Sequence, residues 1–244
     1  MNILITGGAS GLGEAITRQL VKDGANAVYF TYNHSTASAK SIVNDYANAS
    51  AIKCDFRKQD ELDELCTNIP GFDIDILVHN AYIGSFIGDY FHKTDNANFH
   101  SSYVENIVPA IMITQAALIQ FRKKKSGHII TILSSVLNEK PPIGASVYFA
   151  NKSYLRALTK TWAAENSKYN ILSNSISPSF MLTNLTSGID ERVIDQIREN
   201  QPGKKLMTPE QVAHGVSKLI YQPNNLNGVD LIMNALTDIK KEWR

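Results

Sequence analysis

Residues 2–13 read NILITGGASGLG, and the fold turns on how they are read. NILIT (2–6) is a short apolar run of strand type, and Leu12 to Asp23 follows with helical spacing. Between the two stand Gly7, Gly11 and Gly13, where a tight strand-to-helix turn has no room for a Cβ. Bare backbone there can approach a pyrophosphate, and the start of the helix offers N–H groups and the positive end of its dipole. The turn therefore predicts a dinucleotide cradle made of Gly7, Ser10, Gly11, Leu12 and Gly13.

Outward from this unit the same alternation recurs. Strand-like runs at 27–32, 51–54, 74–80, 128–134, 171–177 and 228–233 are separated by helical patterns. Those patterns cover 36–48, 59–68, about 95–123, about 146–167, 191–200 and 209–221. Strands that are apolar without strict alternation are buried on both faces, as in a parallel sheet covered by helices. The prediction is an α/β chain: a single Rossmann-type doubly wound domain over 1–244, with a seven-stranded, mostly parallel sheet and helices on both faces. In such sheets the ligand lies beyond the carboxyl ends of the strands, so residues just after strands are the functional candidates.

Composition narrows the classes. The 244 residues are 43% hydrophobic and 19% charged, with a net charge of +1, so no overall field draws the chain to nucleic acid or an anionic membrane. The most apolar long segment, Ile107 to Ile119, is too short to span a bilayer. No basic flank or cleavage site marks a leader, and the expected location is cytoplasmic. Cys54 and Cys66 have no metal-ligand spacing and read as small buried apolar residues; no metal site is expected.

A site for NAD shows an acid at the end of the second strand, to hold the ribose diol. Here no acid occurs between Asn26 and Asn44, and the strand ends in Tyr32, Asn33 and His34. An uncharged end accepts a 2′-phosphate that a carboxylate would repel. NADP(H) is thus the preferred cofactor, with NAD(H) possible. After the third strand Asp55 stands either at the adenine edge or as a helix N-cap. In SVYFANKSY (146–154), Tyr148 stands four positions before Lys152, on one face of a helix.

With these pieces placed, the chain resembles the short-chain dehydrogenases/reductases over nearly its whole length, most closely the 3-oxoacyl-[acyl-carrier-protein] reductases. TGGASGLG (6–13) matches TGxxxGxG, HNA (79–81) stands for NNAG, and YFANK (148–152) matches YxxxK. Ser135 lies 13 residues before Tyr148, the family's spacing for its serine, and Asn106 matches the asparagine that completes the tetrad. After the sixth strand, Pro178 and Thr183 match residues that cover the nicotinamide. The resemblance implies catalysis by Tyr148, Lys152, Ser135 and Asn106, and cofactor contacts from Asn80, Ala81, Tyr148, Lys152, Pro178 and Thr183. Tyr148 would be the general acid, its pKa lowered by Lys152. Three departures stand out: Tyr82 and Ser179 replace family glycines, and MNAL (233–236) replaces VNGG.

For the substrate, Ser135, Leu137, Ile143, Phe180 and Met181 are expected to line the pocket. Lys125, in the run Arg122 to Lys125, and Lys168 match basic positions that meet the acidic carrier in the acyl-carrier-protein reductases. They favour a carrier-bound 3-oxoacyl substrate over a sugar derivative or polyol of surface polysaccharide synthesis. A cofactor sensor without catalysis is a third reading. The resemblance also implies a homotetramer or homodimer.

Overall fold

The structure, a computed structural model, describes residues 1–223 and 226–235. Its strands are β1 (Asn2–Ile5), β2 (Ala27–Tyr32), β3 (Ala49–Lys53), β4 (Ile76–His79), β5 (Gly127–Ile132), β6 (Ile171–Pro178) and β7 (Asp230–Met233). They form one seven-stranded sheet in the order β3-β2-β1-β4-β5-β6-β7. The expected mostly parallel sheet is parallel at every pairing. Ile3 pairs with Val28 on one side and Ile76 on the other, so β1 is central. The strand order reverses at β1, between β2 and β4, and this opens the crevice beyond its carboxyl end.

Helices α1 (Gly11–Lys22), α2 (Thr36–Asp45), α3 (Gln59–Phe72), α4 (Asn96–Lys124), α5 (Ser146–Asn166), α6 (Glu191–Asn200) and α7 (Pro209–Tyr221) complete the fold. Strand alternation sorts the core into two layers. Ile3 and Ile5 of β1 join Ile16 and Leu20 of α1, Ile42 of α2 and Val216 and Leu219 of α7. Leu4, pointing the other way, joins Leu62 and Ile69 of α3, Ile113 and Phe121 of α4 and Trp162 of α5. No residue of α6 is buried.

Two local expectations differ. The third helix was expected to end at Asn68, but α3 continues through Pro70 to Phe72 and is stopped by Asp73 in the left-handed region (φ 49°). A proline in the last turn removes a single intrahelical bond there, so the helix tolerates it. The fourth helix covers the expected 95–123 almost residue for residue, but the apolar stretch within it extends past Ile107–Ile119. At 29 residues, with a mean hydropathy of 1.3 over its best window, α4 is long and apolar enough to cross a bilayer. Its apolar side chains Ile107, Ile113, Ala117 and Phe121 are instead buried in the core.

Candidate active site

A cleft of about 850 Å³ runs beyond the carboxyl ends of the strands. It starts at the glycine turn, where Gly7 (φ 67°) and Gly11 (φ 50°) adopt left-handed backbone. A Cβ on Gly13 would stand 2.0 Å from Gly7 O and 2.5 Å from Asn80 Nδ2. The turn is braced from below: Gly7 N donates to Thr31 Oγ1, and Asn80 Nδ2 donates to Thr6 O and Gly7 O. Ala81 backs Gly7, its Cα 3.0 Å from where a Cβ would be. Ser10 caps α1 without a side-chain bond, so the first N–H groups of the helix face the cleft uncovered. Ser10, Leu12 and Thr183 line the same wall. This is a cradle for an anion with a polar backbone rim, and it fits the pyrophosphate of a dinucleotide.

At the far end, Tyr32, Asn33 and His34 line the cleft, as expected. Asp55 does not. Its carboxylate accepts from Arg57 N, Nε and Nη2 at 3.1, 2.9 and 2.8 Å. The Arg57 guanidinium, with a further bond from Asn33, holds the Asp55 carboxyl well below the usual range. Nor is Asp55 the cap of α3, a place taken by Lys58. The N-cap expectation for Asp55 is therefore corrected: its carboxylate folds its own turn and fixes Arg57. Arg57 lines the cleft with its Nη2 3.4 Å from His34 Nε2. Arg57 is contributed by the loop after β3 and not by β2, so the residues at the end of β2 give no sign of it.

At the near end, Tyr148 and Lys152 project from α5 into the cleft. Ser134 and Ser135, both buried, line the cleft with Tyr148, and Ser134 lies close enough to the phenol to bear on its proton. Leu133 is buried, Ser134 is extended (φ −162°), and a 3-10 turn begins at Ser135. The expected lowering of the phenol pKa by Lys152 is also corrected. Burial pushes the phenol well above its ordinary value and the nearby Ser134 only partly offsets this. Burial pulls the Lys152 ammonium down to about 8. Tyr148 is thus protonated at neutral pH.

Behind Lys152, Asn106 accepts from Ile83 N at 2.7 Å and donates to Ile83 O at 2.9 Å, pinning the loop after β4 to α4. A cavity of about 10 Å³ is bordered by His79, Asn106 and Lys152, about the size of one water. His79 is hydrogen-bonded to Thr114 Oγ1 at 2.7 Å, and burial with the nearby Lys152 charge lowers its pKa from 6.5 to about 3. Above pH 6.5 neither folded nor unfolded chain protonates this ring. As pH falls from 6.5 towards 3 the unfolded chain takes the proton first, so stability is lost. His79→Asn is expected to flatten that loss, by ~2 kcal/mol at pH 5. Urea unfolding at pH 7.5 and pH 5 measures it; equal losses in parent and variant would exclude His79 as the source. His128, lowered to about 4 by burial, accounts for part of the remaining slope.

The substrate end is aromatic. Tyr82 and Phe86 each stand 5.0 Å from the Tyr148 ring, edge to face, and Phe86 contacts Phe180 at 6.2 Å. Ser135, Phe180 and Met181 line the cleft, as does Pro178, and Val193 and Ile197 of α6 close it from above. Leu137 and Ile143 do not line it. Leu137 is packed with Ile107, Leu133 and Leu155, because the 3-10 turn directs it inward. Ile143 is 68% exposed, in a loop clasped to the opposite wall by Gly88 N donating to Gly144 O. Ser179 lines the cleft with its hydroxyl buried and unpartnered.

The basic run divides. Lys124 pairs with Asp73 and Asp75, and Arg122 donates to Asn166 and lies over Tyr169. Lys125 caps α4 just before β5, and Lys168 lies in the turn just before β6. Both are therefore at the amino ends of the strands, a six-residue strand, roughly 20 Å, from the cleft. Of the segment 233–236, Leu236 lies outside the described residues. The thiols of Cys54 and Cys66 are free, and burial pushes them up to about 12 and about 11.

A glycine cradle facing a Tyr–Lys pair across one cleft defines a nicotinamide-dependent oxidoreductase site. The model of the family described as short chain dehydrogenase matches residues 1–193, and the chain belongs to that family of NAD(P)-dependent oxidoreductases. It is 29% identical to carbonyl reductase family member 4 of Xenopus laevis, over 90% of each chain. It is 28% identical to 3-oxoacyl-[acyl-carrier-protein] reductase FabG of Aquifex aeolicus, over 87% of each. The solved structure of ElxO with NADP bound is similar with a TM-score of 0.83 and 27% identity, over 95% of this chain and 96% of that one.

Proposed function

We propose that this chain, acting as one domain, reduces a ketone to a secondary alcohol with NADPH, and that its substrate is a 3-oxoacyl thioester on acyl-carrier protein. The observation that carries ketone reduction is the meeting of Ser135, Tyr148 and Lys152, with Ser134 beside them, opposite the glycine cradle. Gly7, Ser10, Gly11, Leu12 and Gly13 would hold the pyrophosphate, with Asn80, Ala81, Pro178 and Thr183 as further contacts to the dinucleotide. When bound, the dinucleotide supplies the hydride. Tyr148, protonated in its buried setting, gives a proton to the carbonyl oxygen, and Ser135, in the same cleft, donates a hydrogen bond to that oxygen. Lys152 supplies positive charge beside the phenol. Asn106 keeps open the small cavity through which a water would return the proton.

Preference for NADPH is supported by the acid-free end of β2 and by Arg57, whose guanidinium beside His34 offers a cation to a 2′-phosphate. The acyl substrate is supported by the apolar wall of Phe86, Phe180, Met181 and Ile197 and by the relatives named as 3-oxoacyl reductases. The position of Lys125 and Lys168 adds a condition. A carrier seated there is served by the cleft of a second copy, so carrier use and assembly go together. Exposed Val104 and Ile119 of α4, Tyr154 of α5 and Ile232 of β7 suit a homodimer or homotetramer. Free thiols at Cys54 and Cys66 accord with a cytoplasmic location. The Tyr82 ring, which narrows the site beside Tyr148, favours a second reading: a small polar ketone such as a sugar derivative.

The test is consumption of reduced nicotinamide with 3-oxoacyl thioesters of graded length and with sugar-derived ketones. Thioester turnover at least about tenfold better with NADPH than NADH is expected. Turnover confined to sugar ketones would establish the second reading, and none with any ketone would sink both.

A further inference from the structure

Lys152 is 4% exposed, and its hydrogen bond among the described residues runs to Ile132 O at 2.8 Å. An ammonium has three N–H donors, so that single bond leaves it poorly supported. The titratable groups facing it are few. His79 at the end of β4 is neutral, Glu105 of α4 borders the small cavity, and Tyr148 shares its helix. No ion pair to Lys152 forms among the described residues.

What covers the ammonium is aromatic. Lys152 Nζ stands 5.3 Å from the centroid of the Tyr82 ring and 5.8 Å from that of Tyr148. Cations within ~6 Å of a ring centroid are attracted to its face, most strongly when both are out of water. The Tyr82 ring is also held in place. Its hydroxyl lies beside the polar side chains of Ser102 and Asn151, and Ser102 Oγ accepts from Asn151 Nδ2 at 2.6 Å and Asn106 Nδ2 at 3.3 Å. Helices α4 and α5 thus fix the ring over the lysine, at a position where the resembling motif has a glycine and no ring at all.

We propose that Tyr82 is a positioning residue that keeps Lys152 protonated in its dry site, its ring face standing in for a carboxylate partner. A carboxylate there would neutralise the charge that Tyr148 needs beside it; a ring stabilises the ammonium and leaves its field intact. The hydroxyl has the separate task of anchoring the ring.

Nuclear magnetic resonance of the protein without cofactor, carrying ¹³C at lysine Cε, reads the Lys152 titration directly. The resonance missing from Lys152→Met identifies it. Parent and Tyr82→Phe are expected to share a midpoint, with Tyr82→Leu about one pH unit lower. The alkaline limb of ketone reduction moves with it, because activity is lost once the lysine is neutral. Tyr82→Met, ring-free and unbranched, gives the same reading should the leucine variant misfold. A ring-free variant that titrates with the parent overturns the proposal. So does a phenylalanine variant that falls with the ring-free ones, since the hydroxyl would then be the support. The proposal rests on the role given above to Lys152, but the titration needs no substrate, so its failure is separable from failure of the reductase assay.

Discussion

Tyr148→Phe is expected to bind the dinucleotide as the parent does and to lose turnover by about 10²–10⁴-fold. The ring remains, and with it the two edge-to-face contacts to Tyr82 and Phe86 at 5.0 Å. Only the hydroxyl is removed, so the packing of a side chain that is 6% exposed is preserved. The loss should fall on kcat, because a proton is delivered only as the carbonyl oxygen gains charge. Companion variants separate the adjacent serines: Ser135→Ala should reduce kcat strongly and Ser134→Ala less. Cofactor fluorescence titration and initial rates measure both halves. A Tyr148→Phe enzyme within a few-fold of the parent would remove the phenol from the chemistry.

Gly13→Ala is expected to abolish cofactor binding and to destabilise the fold by about 1–3 kcal/mol or more. The new methyl would stand 2.0 Å from a backbone carbonyl oxygen, which belongs to the neighbouring turn and cannot swing aside as a side chain can. Relief requires α1 to move away from β1. That shift opens the bonds from Asn80 to Thr6 O and Gly7 O and loosens the contact of Ile16 and Leu20 with the sheet. Gly24→Ala serves as the control, since no atom lies within 4 Å of its Cβ position, although its φ of 85° adds local strain. Thermal unfolding with and without NADPH separates the two losses. A Gly13→Ala protein that keeps its cofactor-induced stabilisation would exclude the turn as the pyrophosphate cradle.

The sheet was legible because its signal is local and repeated. Each strand is a short apolar run, each helix has its own periodicity, and the boundaries shift by only a few residues. The glycine cradle and the pair Tyr148 and Lys152 were legible for the same reason, since each lies within one short segment. What was missed depends on loops meeting across the cleft. Arg57 follows β3 and reaches His34 after β2, a meeting set by strand order. Ser134 and Ser135 are neighbours that both line the cleft, and the spacing alone did not show that two hydroxyls stand there. Leu137 and Ile143 share the apolar character of a pocket wall, but one is turned into the core and the other to solvent. The phenol was expected to be acidified by its lysine, whereas depth of burial, invisible in a four-residue spacing, sets its proton affinity.

Helix α6 lies over the cleft without burying a single residue. Replacements along it therefore carry little penalty for folding, while Val193 and Ile197 touch whatever occupies the space beneath. Selection on this chain can accordingly retune what it accepts by rewriting one outer segment, leaving the sheet and the proton donor unaltered. New specificities in this scaffold should arise there first.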